Sequence, residues 1–273
     1  MGWIKPYNGH RRESYSRSGA AENQGIRMTA VAAPVNQSST HLKGLTAAIF
    51  DVDGVLLASP HERAWREALR GFADPTRFTS EMYQAQVAGR PRMAGAVAAL
   101  DYLGVTDAVG QAVAYAERKQ RRLEDLINAG NVEGFPDALR FVQALADLEW
   151  PMAVASSSKN ANSMMKTVHL ASGQCLLEIF SVNVCGRDLP QGKPDPAIFL
   201  LAAAELKADP ACIFVAEDAT AGIEAARSGG MTALGVARVG DAAPLLAAGA
   251  DLVVGSLDEI AIDQLARGYL FGG

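Results

Sequence analysis

The stretch that constrains this chain most is Thr46-Ala47-Ala48-Ile49-Phe50-Asp51-Val52-Asp53-Gly54-Val55-Leu56-Leu57. It is short, apolar and partly β-branched, so 46–57 reads as a buried strand, with Gly54 marking where the backbone turns. Side chains two apart on an extended chain share a side, which places the carboxylates of Asp51 and Asp53 close together at the strand end. Two such carboxylates repel, and one is driven towards its protonated form unless a cation lies between them. A divalent, oxygen-seeking ion such as Mg²⁺ resolves that conflict. An ionised carboxylate beside a metal, with a second carboxyl able to move a proton, is equipment for nucleophilic attack on a phosphoryl group.

The pattern along the chain gives that strand a setting. Residues 1–42 hold Gly, Ser, Asn, Gln and Arg without a sustained hydrophobic period, and read as a flexible N-terminal tail in which Met28 is a second possible start. Ser59 and Pro60 suit a helix start at His61, with Ser59 as the cap. Helices are expected over 61–71, 80–89, 93–103 and 107–129, and no strand between 59 and 133. From 134 onward strands and helices alternate: helix 136–148, strand 152–155, a helix from 161, strand 180–185, helix 195–206, strand 211–215, helix 219–229, strand 232–237, helix 241–248, strand 251–254 and helix 257–267. Such alternation predicts an α/β, doubly wound parallel sheet of Rossmann-like type, built from 43–58 and 134–273, with 59–133 inserted as an all-helical cap domain. Helix 107–129, rich in Glu117, Arg118, Lys119, Arg121, Arg122, Glu124 and Asp125, reads as a solvated face with local ion pairs.

In a parallel sheet the functional groups gather beyond the carboxyl ends of the strands. Polar clusters follow three apolar strands here: Asp51/Asp53, Ser156/Ser158 and Glu217/Asp218. Lys193 lies in the loop Gln191-Gly192-Lys193-Pro194-Asp195-Pro196. Four acids can hold a metal, while a serine hydroxyl and a lysine ammonium can hold phosphate oxygens. A nucleotide P-loop over Gly186–Lys193 is excluded, because its glycines are six apart and Pro194 replaces the metal-binding hydroxyl.

Four segments in order, Phe50-Asp51-Val52-Asp53-Gly54-Val55, Ala155-Ser156-Ser157-Ser158, Gly192-Lys193-Pro194-Asp195-Pro196 and Val215-Ala216-Glu217-Asp218-Ala219-Thr220-Ala221-Gly222-Ile223, resemble the haloacid dehalogenase (HAD) superfamily of phosphotransferases over residues 46 to about 255. The resemblance implies Asp51 as nucleophile, Asp53 as general acid and base, and Ser156 and Lys193 as phosphate ligands. It implies Mg²⁺ on the Asp51 carboxylate, the Asp53 backbone carbonyl and Asp218, with Glu217 beside it. Within the superfamily, His61-Glu62-Arg63-Ala64-Trp65 and Ser156-Ser157-Ser158-Lys159-Asn160 are similar to segments of the β-phosphoglucomutase and sugar-phosphatase subfamily. That similarity implies substrate contacts from His61, Ser158, Lys159 and Asn160, and from Arg92 in a cap loop that also holds Gly89. Three departures touch recognition of a second phosphate: Ala88 stands where a lysine is usual, Pro91 where a serine is usual, and the hinge from Gly54 to His61 is short.

The expected activity is therefore a Mg²⁺-dependent mutase on a phosphorylated sugar, through a phosphoaspartate at Asp51. A phosphatase on small sugar or polyol phosphates is the alternative, and a non-catalytic sugar-phosphate sensor a third reading. A formal net charge of −5 argues against nucleic acid as partner, and no stretch has the length of a membrane span. Cys175, Cys185 and Cys212 show no metal-type pairing and suit a reducing, cytoplasmic setting; a monomer is expected.

Overall fold

A computed structural model describes residues 44–238 and 242–272, and the tail expected over 1–42 lies outside them. The first part of the chain forms β1 (Ala47–Phe50), β2 (Leu57–Ala58), α1 (His61–Ala68), α2 (Ser80–Gln86), α3 (Arg92–Tyr102), α4 (Ala108–Asn128) and β3 (Glu133–Gly134). It continues with α5 (Pro136–Asp147), β4 (Met152–Val154), α6 (Ala161–Met165), β5 (Val182–Asn183), α7 (Ala197–Leu206), β6 (Ile213–Glu217) and α8 (Thr220–Ser228). Then follow β7 (Thr232–Val236), α9 (Ala243–Ala247), β8 (Leu252–Val254) and α10 (Ile262–Leu265).

Six strands pair in parallel in the order β5-β4-β1-β6-β7-β8. β1 runs through the middle with both faces covered, which is why it is apolar at every position. Its period-two alternation sends Ala48 and Phe50 to one face and Ala47 and Ile49 to the other. On the first face they meet α5, α6 and α10 through Phe141, Leu145, Met164 and Leu265. On the second they meet α7, α8 and α9 through Phe199, Ala202, Ile223 and Leu245. This is the doubly wound α/β sheet expected from the alternation. The chain leaves β1 for β4 on one side and later returns to β6 on the other, so the ends of β1, β4 and β6 border a topological switch point.

The inserted helices have an apolar cluster of their own. Trp65, Leu69, Phe78, Met82, Leu100 and Tyr115 are buried together. Thr79 caps α2 by accepting from Met82 N at 3.2 Å, and Asp107 caps α4 by accepting from Gly110 N at 3.1 Å. The two passages between insert and sheet, β2 and β3, pair antiparallel as a small ribbon.

Four local expectations are corrected. The run 46–57 is not one strand: β1 ends at Phe50, and the Val52 carbonyl accepts from both Leu56 N (3.0 Å) and Leu57 N (2.9 Å), so the ladder gives way to a tight turn. Ser59 does not cap α1, whose cap position is Pro60 without a side-chain bond; the Ser59 hydroxyl instead faces the Asp53 carboxyl and pulls that group's pKa down. Strand 211–215 is shifted, because Pro210–Cys212 forms a 3₁₀ turn and Glu217 becomes the last strand residue rather than a loop residue. Helix 257–267 is divided: a Ser256/Glu259 capping box closes a 3₁₀ turn at Leu257–Glu259 before α10 begins.

Candidate active site

Asp51, immediately after β1, is 5% exposed and accepts from the Lys193 ammonium at 2.5 Å. Lys193 also donates to Glu217, at the end of β6, so one fully buried cation joins two carboxylates from adjacent strands. Burial opposes the Lys193 charge, but Asp51 and Glu217 outweigh it and hold the ammonium above its ordinary range. Burial likewise raises Asp51 against the pull of Lys193, and Asp53 adds to the rise. Glu217 is pushed up to about 7, by burial first. For Asp218, burial and the neighbouring Glu217 and Asp51 charges push the carboxyl well up.

Close packing makes these approaches possible. A Cβ on Gly222 of α8 would lie 2.0 Å from the Glu217 carboxyl carbon, and one on Gly54 would lie 1.9 Å from Asp218 Oδ2. Gly54 also has φ +81°, which glycine alone adopts freely. Oxygens of Asp51, Glu217 and Asp218 come within 4.8 Å of one another. A set of buried carboxylates whose single ammonium leaves negative charge in excess fits a hard, oxygen-seeking dication. Glu217 is the least free of them, being bonded to Lys193 and to Ala219 N at 3.3 Å.

Asp53 sits in the turn, beneath the insert. Burial raises its carboxyl, against the opposing effects of Ser59, Lys119 and Lys193. Its Oδ1 is buried with no hydrogen-bond partner, while Oδ2 faces His61 Nε2 at 3.7 Å. His61 opens α1 and is held neutral by burial and by the Lys119 charge. Lys119 Nζ lies 3.1 Å from His61 Nδ1. While Lys119 is an ammonium it donates to Nδ1, which puts the ring proton on Nε2, towards Asp53 and Ser158 Oγ (3.4 Å).

The other expected residues line the same cavity of about 360 Å³. Ser156 Oγ accepts from Ser158 N at 3.1 Å, and Ser158 Oγ from Asn160 N at 3.2 Å, so both hydroxyls also shape their own loop. Asn160 exchanges bonds with Gln120 of α4 at 3.0 and 3.2 Å. Lys159 pairs with exposed Asp188 at 2.7 Å, and Arg92 begins α3 on the facing wall. Asp51, Asp53, His61, Arg92, Ser156, Ser158, Lys159, Asn160, Lys193 and Asp218 thus share one cavity; Glu217 stands behind it.

Lys119 corrects the reading of 107–129 as a solvated face, for it is 3% exposed. Its signal was present: Ala112, Tyr115, Ala116, Lys119, Leu123 and Leu126 recur at three- and four-residue steps, and the lysine lies on that buried stripe. Gln84 had no such signal; its Nε2 donates to Asp218 Oδ2 at 3.3 Å across 134 residues of chain.

The family model of haloacid dehalogenase-like hydrolases covers residues 45–230. The chain belongs to that family. Among relatives of this HAD protein, the β-phosphoglucomutase of Bacillus subtilis is 33% identical over 81% of this chain and 94% of its own. The validoxylamine A 7'-phosphate phosphatase of Streptomyces hygroscopicus subsp. limoneus is 30% identical over 78% and 94%. The crystal structure of the archaeal β-phosphoglucomutase of Pyrococcus sp. strain ST 04 superposes with a TM-score of 0.65 at 31% identity, covering 81% of this chain and 97% of that one. The chain is an enzyme that acts by phosphoryl transfer. Among the described residues no helix is long and apolar enough to cross a membrane.

Proposed function

We propose that this enzyme interconverts phosphorylated hexoses as a β-phosphoglucomutase, taking β-glucose 1-phosphate to glucose 6-phosphate, with 59–133 acting as a cap over a core of 43–58 and 134–273. The observation that carries the reading is the lining of the cavity. Besides Asp51, Lys193 and Ser156, it holds Arg92 and Lys159, the latter paired with Asp188, as further cations for a second phosphate. A substrate with two phosphates fits that set of charges.

Asp51 attacks the phosphorus, an Asp51–phosphorus bond forms, and the ester oxygen leaves. Asp53, whose carboxyl is raised by burial, donates a proton to that oxygen and recovers one from the next attacking hydroxyl. Lys193 holds Asp51 ionised and stands beside the incoming anionic oxygens, as does the Ser156 hydroxyl. His61 and Lys119 reach Asp53 from the insert, so the acid is fully surrounded only when the insert lies over the core. Asp51, the Asp53 carbonyl and Asp218 would hold Mg²⁺, which when bound neutralises charge on the transferring phosphoryl group.

A phosphatase is the second reading, favoured by Ala88, which presents an apolar surface where a cation would strengthen the grip on a second phosphate. Purified enzyme with Mg²⁺, β-glucose 1-phosphate and a trace of the 1,6-bisphosphate separates the two. Glucose 6-phosphate without inorganic phosphate is expected; inorganic phosphate as the main product overturns the mutase in favour of the phosphatase. Asp51→Asn abolishes turnover on either reading, whereas a sugar-phosphate sensor would keep its binding and have no turnover to lose.

A further inference from the structure

Apart from the Ser59 hydroxyl, the Asp53 carboxyl has little holding it directly: Oδ1 has no partner and Oδ2 lies 3.7 Å from His61. Its place is therefore set largely by the backbone of the turn it stands on. That turn is closed by Gly54 N donating to Leu57 O at 2.9 Å, and its outward carbonyls point to one side chain. Arg238, just beyond β7, donates from Nε to Gly54 O at 3.0 Å and from Nη2 to Val55 O at 2.8 Å.

The rest of the guanidinium is fixed independently. Nη1 donates to both oxygens of Asp137, at 2.9 and 2.8 Å. Asp137 is held in turn by Ser256 Oγ (2.9 Å) and Leu257 N (2.8 Å). The ring of Phe135 lies 3.9 Å from the guanidinium carbon, and Phe135 N donates to Leu56 O at 3.0 Å. One half-buried cation thus joins the turn bearing Asp53, the return passage from the insert and the start of α5. Arg238 does not line the cavity, so it acts on substrate only through other residues.

We infer that Arg238, oriented by Asp137, is a positioning residue for Asp53: its fork on the Gly54 and Val55 carbonyls sets where the acid's proton is delivered. The inference rests on the reading of Asp53 as the group that protonates the leaving oxygen. A planar fork with a fixed spread of donors meets two carbonyls and a carboxylate at once, and an ammonium does not.

The consequence is selective. As the Asp51–phosphorus bond forms and the ester bond breaks, an alkoxide needs the Asp53 proton, whereas 4-nitrophenolate leaves without one. Loss of Arg238 therefore penalises alkyl phosphates and spares the nitrophenyl ester. The test is single-turnover release of the leaving group, with Mg²⁺-loaded enzyme in excess, from β-glucose 1-phosphate and from 4-nitrophenyl phosphate. It compares wild type with Arg238→Met, Arg238→Lys, Asp137→Asn and Asp53→Asn.

Arg238→Met is expected to lose about 100-fold on the sugar phosphate, the lower end of what general acid catalysis contributes, and to remain near wild type on the nitrophenyl ester. Arg238→Lys follows it, and Asp137→Asn lies between. Equal losses on both substrates, or none, overturn the inference. A selective Asp53→Asn beside an unselective Arg238→Met overturns the role of Arg238 alone. An unselective Asp53→Asn overturns the acid role of Asp53 and this inference with it. If Arg238→Met does not fold, Arg238→Lys and Asp137→Asn decide by the same comparison.

Discussion

Single side chains next to the nucleophile show how much of its placement is packing. Phe50 immediately precedes Asp51, and its ring meets those of Phe141, Phe180 and Phe214 at 6.0, 5.9 and 6.0 Å. Phe50→Ala removes all three contacts and leaves a cavity in a fully buried site. A loss of about 3–5 kcal/mol is expected, checked by urea unfolding. Lys119 makes a prediction of opposite kind. Burial lowers its ammonium from the ordinary 10.5 to about 7, with Asp53 opposing the fall. Between those two values the unfolded chain binds a proton that the folded one has released, so this group makes stability rise with pH across the window. Lys119→Met should remove that rise, read as the difference in unfolding free energy between the two proteins at pH 7 and pH 9.5.

At the scale of elements, two loops meet where the insert touches the sheet domain. Pro91, just before α3, packs against Gly192, where an added Cβ would lie 2.0 Å from the proline Cγ. The proline that departs from the subfamily pattern thus faces a position without a side chain. Nearby, Ser157 Oγ donates to Gly89 O at 3.4 Å. Gly192→Ala would drive the rigid ring away, at an overpacking cost of roughly 1–3 kcal/mol to the closed arrangement, or about 5- to 150-fold in its population. The expected outcome is a higher ratio of inorganic phosphate to glucose 6-phosphate, because water gains access to the phosphoaspartate. An unchanged ratio would mean that this contact does not govern closure.

For the molecule as a whole, the insert and the sheet bury separate apolar clusters, while polar pairs such as Gln84–Asp218, Gln120–Asn160 and His61–Ser158 span the gap between them. Polar contacts of this kind contribute only about 0.5–1.5 kcal/mol each, so bound substrate and metal are expected to add much of the closing energy. Sugar phosphate at a hundredfold excess over its dissociation constant should raise stability by about 2.7 kcal/mol in the presence of Mg²⁺. Chelation with EDTA, or Asp218→Asn, should remove most of that gain in a thermal unfolding experiment; a gain that survives both would place the ligand away from the acidic cluster.

Local chemistry made much of this protein legible. The apolar run into Asp51 and the alternation after 134 specify a buried parallel sheet, because a strand covered on both faces must be apolar throughout and a crossover must be long. The polar residues that end those strands then converge by topology, which is why Asp51, Ser156, Lys193 and Asp218 could be named without coordinates. What lay beyond the sequence was one local turn and several contacts between distant segments. The turn at Val52–Leu57 replaced a straight strand because its carbonyl found partners five residues away or nearer. Ser59 turned from capping to Asp53, and Gln84 and Arg238 reached their partners across 134 and 184 residues. Lys119 stands between the two cases: its place on a buried helical stripe was written in the spacing, but the imidazole and carboxylate that make a buried ammonium tolerable are brought to it only by the folded chain.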